Sequence, residues 1–290
     1  MSRLVARMAV AGVGLVGGSL ALAARRAGLV GEVTGYGRSA ANLALALERG
    51  IVDRVAEDPA DAAAGADLIV LAAPVGACAA LADAFRPHAR ADAVLSDVGS
   101  VKASLVDALE ARWTPSQVVG AHPIAGSEAS GAGAARDDLF RGCPCVLTPT
   151  EATAPAALEL VRALWAGVGA RVVEMPAAAH DDILARISHA PHLVAYALVA
   201  AVADVRVDGR AVLPWAGSGF RDATRIAASR AELWRDIALA NGPAVRQALA
   251  EFRAALDGLE ALIAAGDGAA LGATLERAGS VRRGLGGGEA

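Results

Sequence analysis

The chain has 290 residues and a formal net charge of −4, with 27 Lys and Arg against 31 Asp and Glu. That length suits two domains of ordinary size, and the weakly acidic balance without a basic stripe argues against nucleic acid as a main partner. Hydrophobic residues make up 55% of the chain. No run of about 20 apolar residues lacks charges or glycine and proline breaks, so we expect no membrane span.

The start of the chain and its cysteines indicate the compartment. The N-terminus reaches the first apolar strand almost at once and lacks the succession of basic, apolar and small residues that marks a secretion signal, so we expect a cytoplasmic protein. Cys78, Cys143 and Cys145 form neither a disulfide framework nor a zinc-type spacing. We therefore predict free thiols and no metal site.

A glycine loop follows the first apolar run. Gly12, Gly14 and Gly17, with Leu15 and Val16 between the last two, stand between a predicted strand and a predicted helix. In such a unit the first glycine permits the turn, the second lets the backbone approach a pyrophosphate, and the third allows close packing of helix on strand. The helix N-terminus favours anions. These five residues are predicted to bind a dinucleotide.

The end of the second strand bears on which dinucleotide binds. NAD-preferring sites of this type place Asp or Glu there, where the carboxylate repels a 2′-phosphate. Here Gly37 occupies that position, and Arg38 and Ser39 follow. Arg38 can pair with a 2′-phosphate, and Ser39 can donate a hydrogen bond while capping the next helix. Stacking of Arg38 on adenine, or exposure to solvent, is the alternative. We expect NADP to be preferred, with use of NAD left open.

Short β-like runs alternate with helical segments up to about residue 175. Several runs are continuously apolar, as in strands covered on both faces. This pattern predicts a doubly wound, mostly parallel α/β sheet of Rossmann type, whose ligands bind beyond the carboxyl ends of the strands, where Pro74, Ser100 and His122 fall. The predicted strands are 8–11, 32–35, 67–72, 93–97, 118–121, 144–148 and 171–174.

After residue 175 the pattern changes to alanine- and leucine-rich helical periodicity, which continues almost to residue 283. We predict a dinucleotide-binding domain over 1–175 and an all-helical domain over 176–290. The apolar content of these helices suggests burial against a second copy of the chain. A large intramolecular core is the alternative.

The segment 122–128 carries groups that suit proton transfer. An unperturbed histidine titrates near neutrality, so His122 can take the proton of a hydroxyl whose carbon is oxidised. Ser127 and Glu128 can orient polar substrate groups, although turn capping competes for Glu128. Ser100 stands where a strand turns into a helix, so its hydroxyl either caps that helix or faces the cleft. Lys102 is expected on the surface or within the helix, without a catalytic task.

Candidate substrate contacts also occur in the helical region. Ser188 and His192 lie about one turn apart, which can put both on one face of a helix. Arg225 or Arg221 can supply a guanidinium for a substrate carboxylate. Trp234 is either a ligand contact or a core or interface residue.

Five segments together resemble the prephenate/arogenate (cyclohexadienyl) dehydrogenase family of tyrosine biosynthesis. The resemblance runs from about residue 8 to about residue 240. The segments are GVGLVGGSL (12–20), SDVGSVK (96–102), HPIAGSE (122–128), SHAPH (188–192), and FRDATRIA (220–227) with WRD (234–236).

The resemblance implies an NAD(P)-dependent oxidative decarboxylation of a small molecule, without a metal, in a homodimer joined by the helical domain. Prephenate would give 4-hydroxyphenylpyruvate and arogenate would give tyrosine; the reacting ends are the same, so the choice stays open. The resemblance assigns His122 as the residue that takes the hydroxyl proton, assisted by Ser100, and Arg225 as the carboxylate anchor. It places Ser127, Ser188 and His192 around the substrate.

Two other classes of protein compete with this interpretation. A β-hydroxyacid or imine-type NADP dehydrogenase also joins a dinucleotide fold to helices, but usually relies on a lysine in the helical domain. The only lysine in this chain is Lys102. The second alternative is a non-catalytic NADP-binding regulatory protein, which turnover of prephenate would exclude.

Overall fold

Residues 3–126 and 129–285 are described by the structure, a computed structural model. Ser127 and Glu128, two of the predicted substrate contacts, lie outside the described residues. The chain divides into two compact units, Met1–Gly242 and Pro243–Ala290.

The first unit contains every strand of the described residues and most of the helices. The strands are β1 Val5–Ala11, β2 Val30–Tyr36, β3 Arg54–Val55, β4 Leu68–Leu71, β5 Val94–Asp97, β6 Val118–Pro123, β7 Pro144–Thr148, β8 Arg171–Glu174, β9 Arg206–Val207 and β10 Arg210–Ala211. The helices are α1 Leu15–Arg26, α2 Ala40–Glu48, α3 Pro59–Ala63, α4 Val75–Phe85, α5 Ala103–Glu110, α6 Pro155–Gly167, α7 Ala177–Leu184, α8 Ala190–Val202, α9 Ser218–Thr224 and α10 Ala231–Ala240. The second unit contains α11 Gly242–Ala264, apart from its first residue, and α12 Gly268–Gly284.

β1 to β8 form one sheet in the order β3-β2-β1-β4-β5-β6-β7-β8. Neighbours are parallel except for β6 and β7, which are antiparallel, so β7 and β8 run against the other six. The strand order reverses between β1 and β4, where a doubly wound sheet opens its ligand crevice. The carboxyl ends of β1, β4, β5 and β6 therefore share one edge of the sheet.

The predicted sheet is confirmed, with three differences. The two-residue strand β3 was missed, because so short a strand carries no periodicity. β6 extends to Pro123, so His122 lies within the strand and not beyond it. The small hairpin of β9 and β10 interrupts the region predicted to be all helix.

Side chains of the central strands alternate between two hydrophobic cores, one on each face of the sheet. In β1, Met8 and Val10 belong to one core, whereas Ala9 and Ala11 belong to the other. This alternation follows from the period of two of a β-strand. Burial on both faces explains why the runs are continuously apolar.

The glycine loop joins β1 to α1 in very close packing. Gly12 has φ +104, and a Cβ on it would lie 2.2 Å from the carbonyl oxygen of Ala72. A Cβ on Gly17 would lie 2.3 Å from the carbonyl oxygen of Gly12. Gly14 precedes α1, and a Cβ on it would meet nothing within 4 Å. Two of the glycines thus hold the turn together, and the third borders open space at the helix N-terminus.

α7 and α8 form one apolar helix that widens in its middle. Residues Ala185–His189 between them form a π-helical turn. Pro191 lies two residues beyond that turn, and proline lacks the N–H that would continue an α-helical pattern. π-turns occur often at functional sites.

The packing of the loop gives a prediction about stability. Gly17→Ala should lower the free energy of unfolding by about 1–3 kcal/mol, the usual cost of overpacking. Gly14→Ala should change it by less than about 0.5 kcal/mol, because the new methyl group meets no atom. Urea unfolding of both variants beside the unaltered chain measures this, and equal stability of the two variants would contradict the packing described above.

Candidate active site

His122 is the most distinctive side chain at the carboxyl edge of the sheet. Its Nδ1 lies 2.8 Å from Nε2 of His180, and the two rings meet edge to face. Its other ring nitrogen, Nε2, has no hydrogen-bond partner among the described residues. Burial, then the positive charge of Lys102, holds the pKa of His122 well below its ordinary value. The imidazole is therefore neutral at physiological pH, with Nε2 available.

His180 connects His122 to a carboxylate. His180 is fully buried at α7, and its Nδ1 lies 2.8 Å from Oδ1 of Asp181. The two oxygens of Asp181 also accept hydrogen bonds from the main-chain N–H groups of Lys102, at 2.7 Å, and Ala103, at 2.9 Å. Burial raises the pKa of Asp181, but the bonds from His180 and from these N–H groups outweigh it and leave the pKa below its ordinary value. Asp181 is ionised.

Of the two locations expected for Lys102, the surface is wrong, whereas its place at the start of α5 agrees with the other. Lys102 is fully buried, and its Nζ forms an ion pair with the fully buried carboxylate of Asp97. Nζ also donates to the carbonyl oxygen of Ala121 at 2.8 Å, and Asp97 Oδ1 accepts from the N–H of Ala121 at 3.2 Å. The pair thus forms hydrogen bonds to both main-chain polar groups of Ala121, the residue just before His122. The sequence signal was available: this is the only lysine of the chain, and apolar residues flank it.

Ser100 is half-buried and follows β5, which is the neighbour in the sheet of β6, the strand that contains His122. Of the two roles left open for it, helix capping is wrong: α5 begins at Ala103, and the cap residue Lys102 makes no side-chain cap. Asp181 from α7 takes that role instead. The hydroxyl of Ser100 is not used by the helix.

His192 contacts both Ser188 and Trp234. His192 Nδ1 donates to the carbonyl oxygen of Ser188 at 2.9 Å. The His192 ring stacks on Trp234 with centroids 3.4 Å apart and planes 19° apart. Trp234 is buried and packs with Val101 and Ile237. Its indole supports His192 and closes a small core at the same time.

Arg225 begins a short 3-10 helix and is exposed. Burial lowers the pKa of His192, the carbonyl of Ser188 opposes that effect, and the charge of Arg225 lowers the pKa further. The guanidinium of Arg225 is thus close enough to act on His192. Arg221, the alternative anchor, is exposed in α9.

Four polar residues of this region were missed as site residues: His180, Asp181, His189 and Asn241. The Asn241 amide nitrogen donates to the carbonyl oxygen of Asp181 at 2.8 Å and lies 3.1 Å from Nδ1 of His189. Burial lowers the pKa of His189 to about 4. His189 lies inside the SHAPH segment, so the sequence contained a signal for it. His180, Asp181 and Asn241 lie outside all of the motifs.

The predicted cofactor residues lie at the same edge of the sheet but at other strands. Gly37 and Arg38 follow β2, and Arg38 is exposed. Ser39 accepts a hydrogen bond from the N–H of Asn42 at 3.2 Å and so caps α2. Pro74 follows β4 and precedes α4. The glycine loop, with Leu15 and Val16 in the first turn of α1, lies between these two positions in the sheet.

The arrangement combines a nucleotide-binding type of loop with a neutral, mostly buried imidazole, one of whose nitrogens has no partner in the described part of the chain. Such an imidazole can take a proton from a hydroxyl group bound at the same edge. Within residues 3–126 and 129–285, no cluster of His, Cys, Asp and Glu has the geometry to hold a metal ion.

Comparison with known proteins agrees with this geometry. Residues 20–174 match the family model of the prephenate dehydrogenase nucleotide-binding domain, and residues 176–277 match that of the prephenate dehydrogenase dimerization domain. A cyclohexadienyl dehydrogenase from Zymomonas mobilis is 37% identical over 264 residues, which cover 90% of this chain and 89% of that protein.

Solved structures give the same result. Prephenate dehydrogenase from Aquifex aeolicus, in complex with hydroxyphenyl propionate and NAD+, superposes with a TM-score of 0.92 at 34% identity, covering 97% of this chain and 98% of that one. Synechocystis arogenate dehydrogenase superposes with a TM-score of 0.83 at 32% identity, covering 96% and 99%. Since the two family models span most of its length and these relatives align almost end to end, the chain belongs to the prephenate dehydrogenase family of NAD(P)-dependent oxidoreductases.

Proposed function

We propose that this chain oxidatively decarboxylates prephenate, arogenate or both, with His122 as the base that takes the proton of the ring hydroxyl. The observation that carries the proposal is the free Nε2 of a neutral, mostly buried His122 at the edge of a dinucleotide-binding sheet. A histidine that is uncharged before the reaction is ready to accept a proton during it.

The glycine loop fits a dinucleotide. The open space at Gly14 lies at the N-terminus of α1, whose first turn contains no acidic residue, so a pyrophosphate would meet unpaired N–H groups and no repelling charge. The nicotinamide supplies the hydride acceptor when it is bound. Gly12, Gly14, Leu15, Val16, Gly17 and Pro74 would hold it.

The remaining residues would bind and orient the substrate. Ser100 has a hydroxyl that no helix uses, so it can share the ring hydroxyl with His122. Ser188, His192 and Trp234 form one wall, and Arg225 beside them would hold a carboxylate. We also assign Ser127 and Glu128 to this pocket on the family resemblance alone.

Beyond binding the substrate and the cofactor, the protein has to supply only the base for the reaction. As His122 removes the hydroxyl proton, a hydride can leave the same carbon, and the electron-poor ring then releases its carboxylate as carbon dioxide. The aromatic product makes the step favourable.

Kinetics of two variants test the assigned roles. His122→Asn should lower kcat by about 10²- to 10⁴-fold, the usual contribution of a positioned base. Arg225→Gln should lower kcat/KM by about 10- to 150-fold, mostly through KM, because it loses a charge-assisted contact of about 1.5–3 kcal/mol. Both are measured with prephenate and with arogenate, which also reports the preferred substrate.

Arg221→Gln is the matched control for the anchor, since it removes an exposed guanidinium four residues away. Near-normal turnover in His122→Asn would remove His122 from the role of base. A raised KM in Arg221→Gln with an unchanged KM in Arg225→Gln would exchange the two arginines.

We further propose a preference for NADP over NAD. Gly37 leaves no carboxylate to repel a 2′-phosphate, and the exposed Arg38 has its guanidinium free of hydrogen bonds and ion pairs to the described part of the chain. Ser39 already uses its Oγ as an acceptor from Asn42, and its hydroxyl proton can still be donated.

The cofactor preference is tested by exchanging the loop. The ratio of kcat/KM for NADP to that for NAD should exceed one in the unaltered chain and fall in Gly37→Asp/Arg38→Asn, because the variant adds a repelling charge and removes the pairing one. A ratio that favours NAD from the start, or that does not respond to the exchange, would show that this loop does not select the cofactor.

We propose that the region 176–290 acts as a helical substrate and dimerisation domain after a dinucleotide-binding domain over 1–175. Its surface supports this: fifteen of the eighteen exposed large hydrophobic side chains of the described residues follow residue 176. The helix Ala177–Val202 is long and apolar enough to cross a membrane, with 28% of its most apolar stretch buried. Because this helix also carries the buried His180, Asp181 and His189, we assign its apolar face to a second copy of the chain in the cytoplasm.

Light scattering in detergent-free buffer tests the dimer. At micromolar concentration the mass should be twice the 29.0 kDa of one chain, since large exposed apolar surfaces favour association. A mass of one chain would contradict the dimer, and a requirement for detergent would favour a membrane instead.

The competing dehydrogenase class receives no support from the site. The only lysine, Lys102, belongs to the 1–175 region, where Asp97 and Ala121 hold its ammonium group, and not to the helical domain in which that class places its lysine. Absence of turnover with both substrates and both cofactors would favour the regulatory alternative.

A further inference from the structure

We propose that His180 and Asp181 are positioning residues that fix His122 in the tautomer with an unprotonated Nε2 and stabilise the charge that it gains. The inference rests on the role of His122 proposed above, and it adds what prepares that histidine. It follows from the hydrogen bonds that join the three side chains in series.

The carboxylate sets the direction of the series. Asp181 is ionised and already accepts two main-chain N–H groups, so it can act only as an acceptor. The ring nitrogen of His180 that lies 2.8 Å from it must therefore carry a proton. His180 Nδ1 is the donor.

The next hydrogen bond sets the tautomer of His122. Nε2 of His180 and Nδ1 of His122 are 2.8 Å apart, so one proton lies between them. A proton on His180 Nε2 would make that ring cationic in a buried site that also holds the ammonium of Lys102. The proton therefore sits on His122 Nδ1, and a neutral His122 leaves Nε2 bare.

The same series stabilises His122 after it accepts a proton. When Nε2 takes the substrate proton, Nδ1 keeps its own, and the bond from Nδ1–H to His180 becomes charge-assisted and stronger. His180 in turn donates a hydrogen bond to the negatively charged Asp181. This is the logic by which a carboxylate orients and supports a histidine base, with one extra imidazole inserted.

The charged and titratable groups around this series leave Asp181 as the effective negative charge. The carboxylate of Asp97 on β5 is occupied by Lys102, and burial raises the pKa of the Cys145 thiol on β7, which is therefore neutral. The titratable groups that act on the pKa of His122 are Lys102, His180 and His189, and each of them lowers it.

Nitrogen NMR of the ring nitrogens tests the tautomer directly in the full-length protein without substrate. His122, assigned by loss of its signals in His122→Asn, should show a protonated Nδ1 and an unprotonated Nε2 at neutral pH. A protonated Nε2 would overturn the proposal whatever the activity of the enzyme. This readout is separate from the proposed function, which fails instead on turnover.

Three variants test the contribution to the reaction. His180→Leu removes the acceptor, so His122 should populate both tautomers and kcat should fall by about 10- to 100-fold, with KM nearly unchanged. His180→Gln can offer its amide oxygen to His122 Nδ1–H and should retain much of kcat. Asp181→Asn keeps the shape but removes the charge, and should lower kcat as His180→Leu does.

The pH profile adds a readout that a purely structural role would not move. Loss of the acceptor or of the Asp181 charge makes protonated His122 less stable, so its pKa falls and the acidic limb of kcat/KM should shift to lower pH. The matched control is His88→Leu, which removes an exposed histidine outside this series. It should change neither kcat nor the acidic limb of kcat/KM. Unchanged kcat and an unchanged acidic limb in both His180→Leu and Asp181→Asn would overturn the proposal; if His180→Leu does not fold, the wild-type tautomer and Asp181→Asn still decide.

Discussion

One carboxylate, that of Asp181, joins the parts on which the site depends. It accepts the first N–H groups of α5, which follows the sheet strand β5, and it also accepts from His180 on its own helix. Helix N-termini favour a negative charge, and an ionised acceptor makes stronger bonds than a neutral one. The contact therefore fixes α7 against α5 and at the same time aligns the imidazole that faces His122. Asn241 reinforces it by donating to the carbonyl of the same residue.

A second buried charge pair fixes the backbone on the other side of His122. Lys102 and Asp97 bond the carbonyl and the N–H of Ala121, so the strand just before the histidine is held at both polar groups. Ion pairs buried to this degree are costly to desolvate and are weak evidence for stability. The pair is better understood as a positioning device. Asp97 and Lys102 hold the backbone just before His122 and His180 holds its ring, so His122 has little conformational freedom. The ammonium group also opposes a positive charge on His122, which favours the neutral imidazole.

At the glycine loop, the proposed cofactor side of the site depends on main-chain groups and not on charged side chains. Close contacts at Gly12 and Gly17 bring the turn and α1 against β1 and β4, and the polar groups there are main-chain N–H groups without side-chain charge. The proposed substrate side relies on side chains: the stacked pair of His192 and Trp234 and the nearby charge of Arg225. A cofactor shared by many enzymes can be held by backbone geometry, whereas a particular substrate requires particular side chains. In the proposed site, His122 would lie between the cofactor and the substrate at one edge of the sheet.

The sequence by itself determined the fold class, and it supplied most of the residues to which we assign chemistry under the proposed function. Short β-like runs, several of them continuously apolar, predicted the seven longer strands of the sheet, because burial on both faces leaves that mark in local composition. Glycine spacing located the loop, and short motifs singled out Ser100, His122, His192 and Arg225. All of these signals lie within a few residues of the feature that they describe.

Only the tertiary structure decided how distant residues combine. His180 lies 58 residues from His122, and Asp181 lies 79 residues from the N–H of Lys102 that it caps. The burial of Lys102 and the reversal of β7 likewise depend on partners elsewhere in the chain. Local periodicity records which face of an element is buried, but it carries no information about which partner covers that face. The charges and imidazoles that prepare His122 could therefore be found only once the chain was folded.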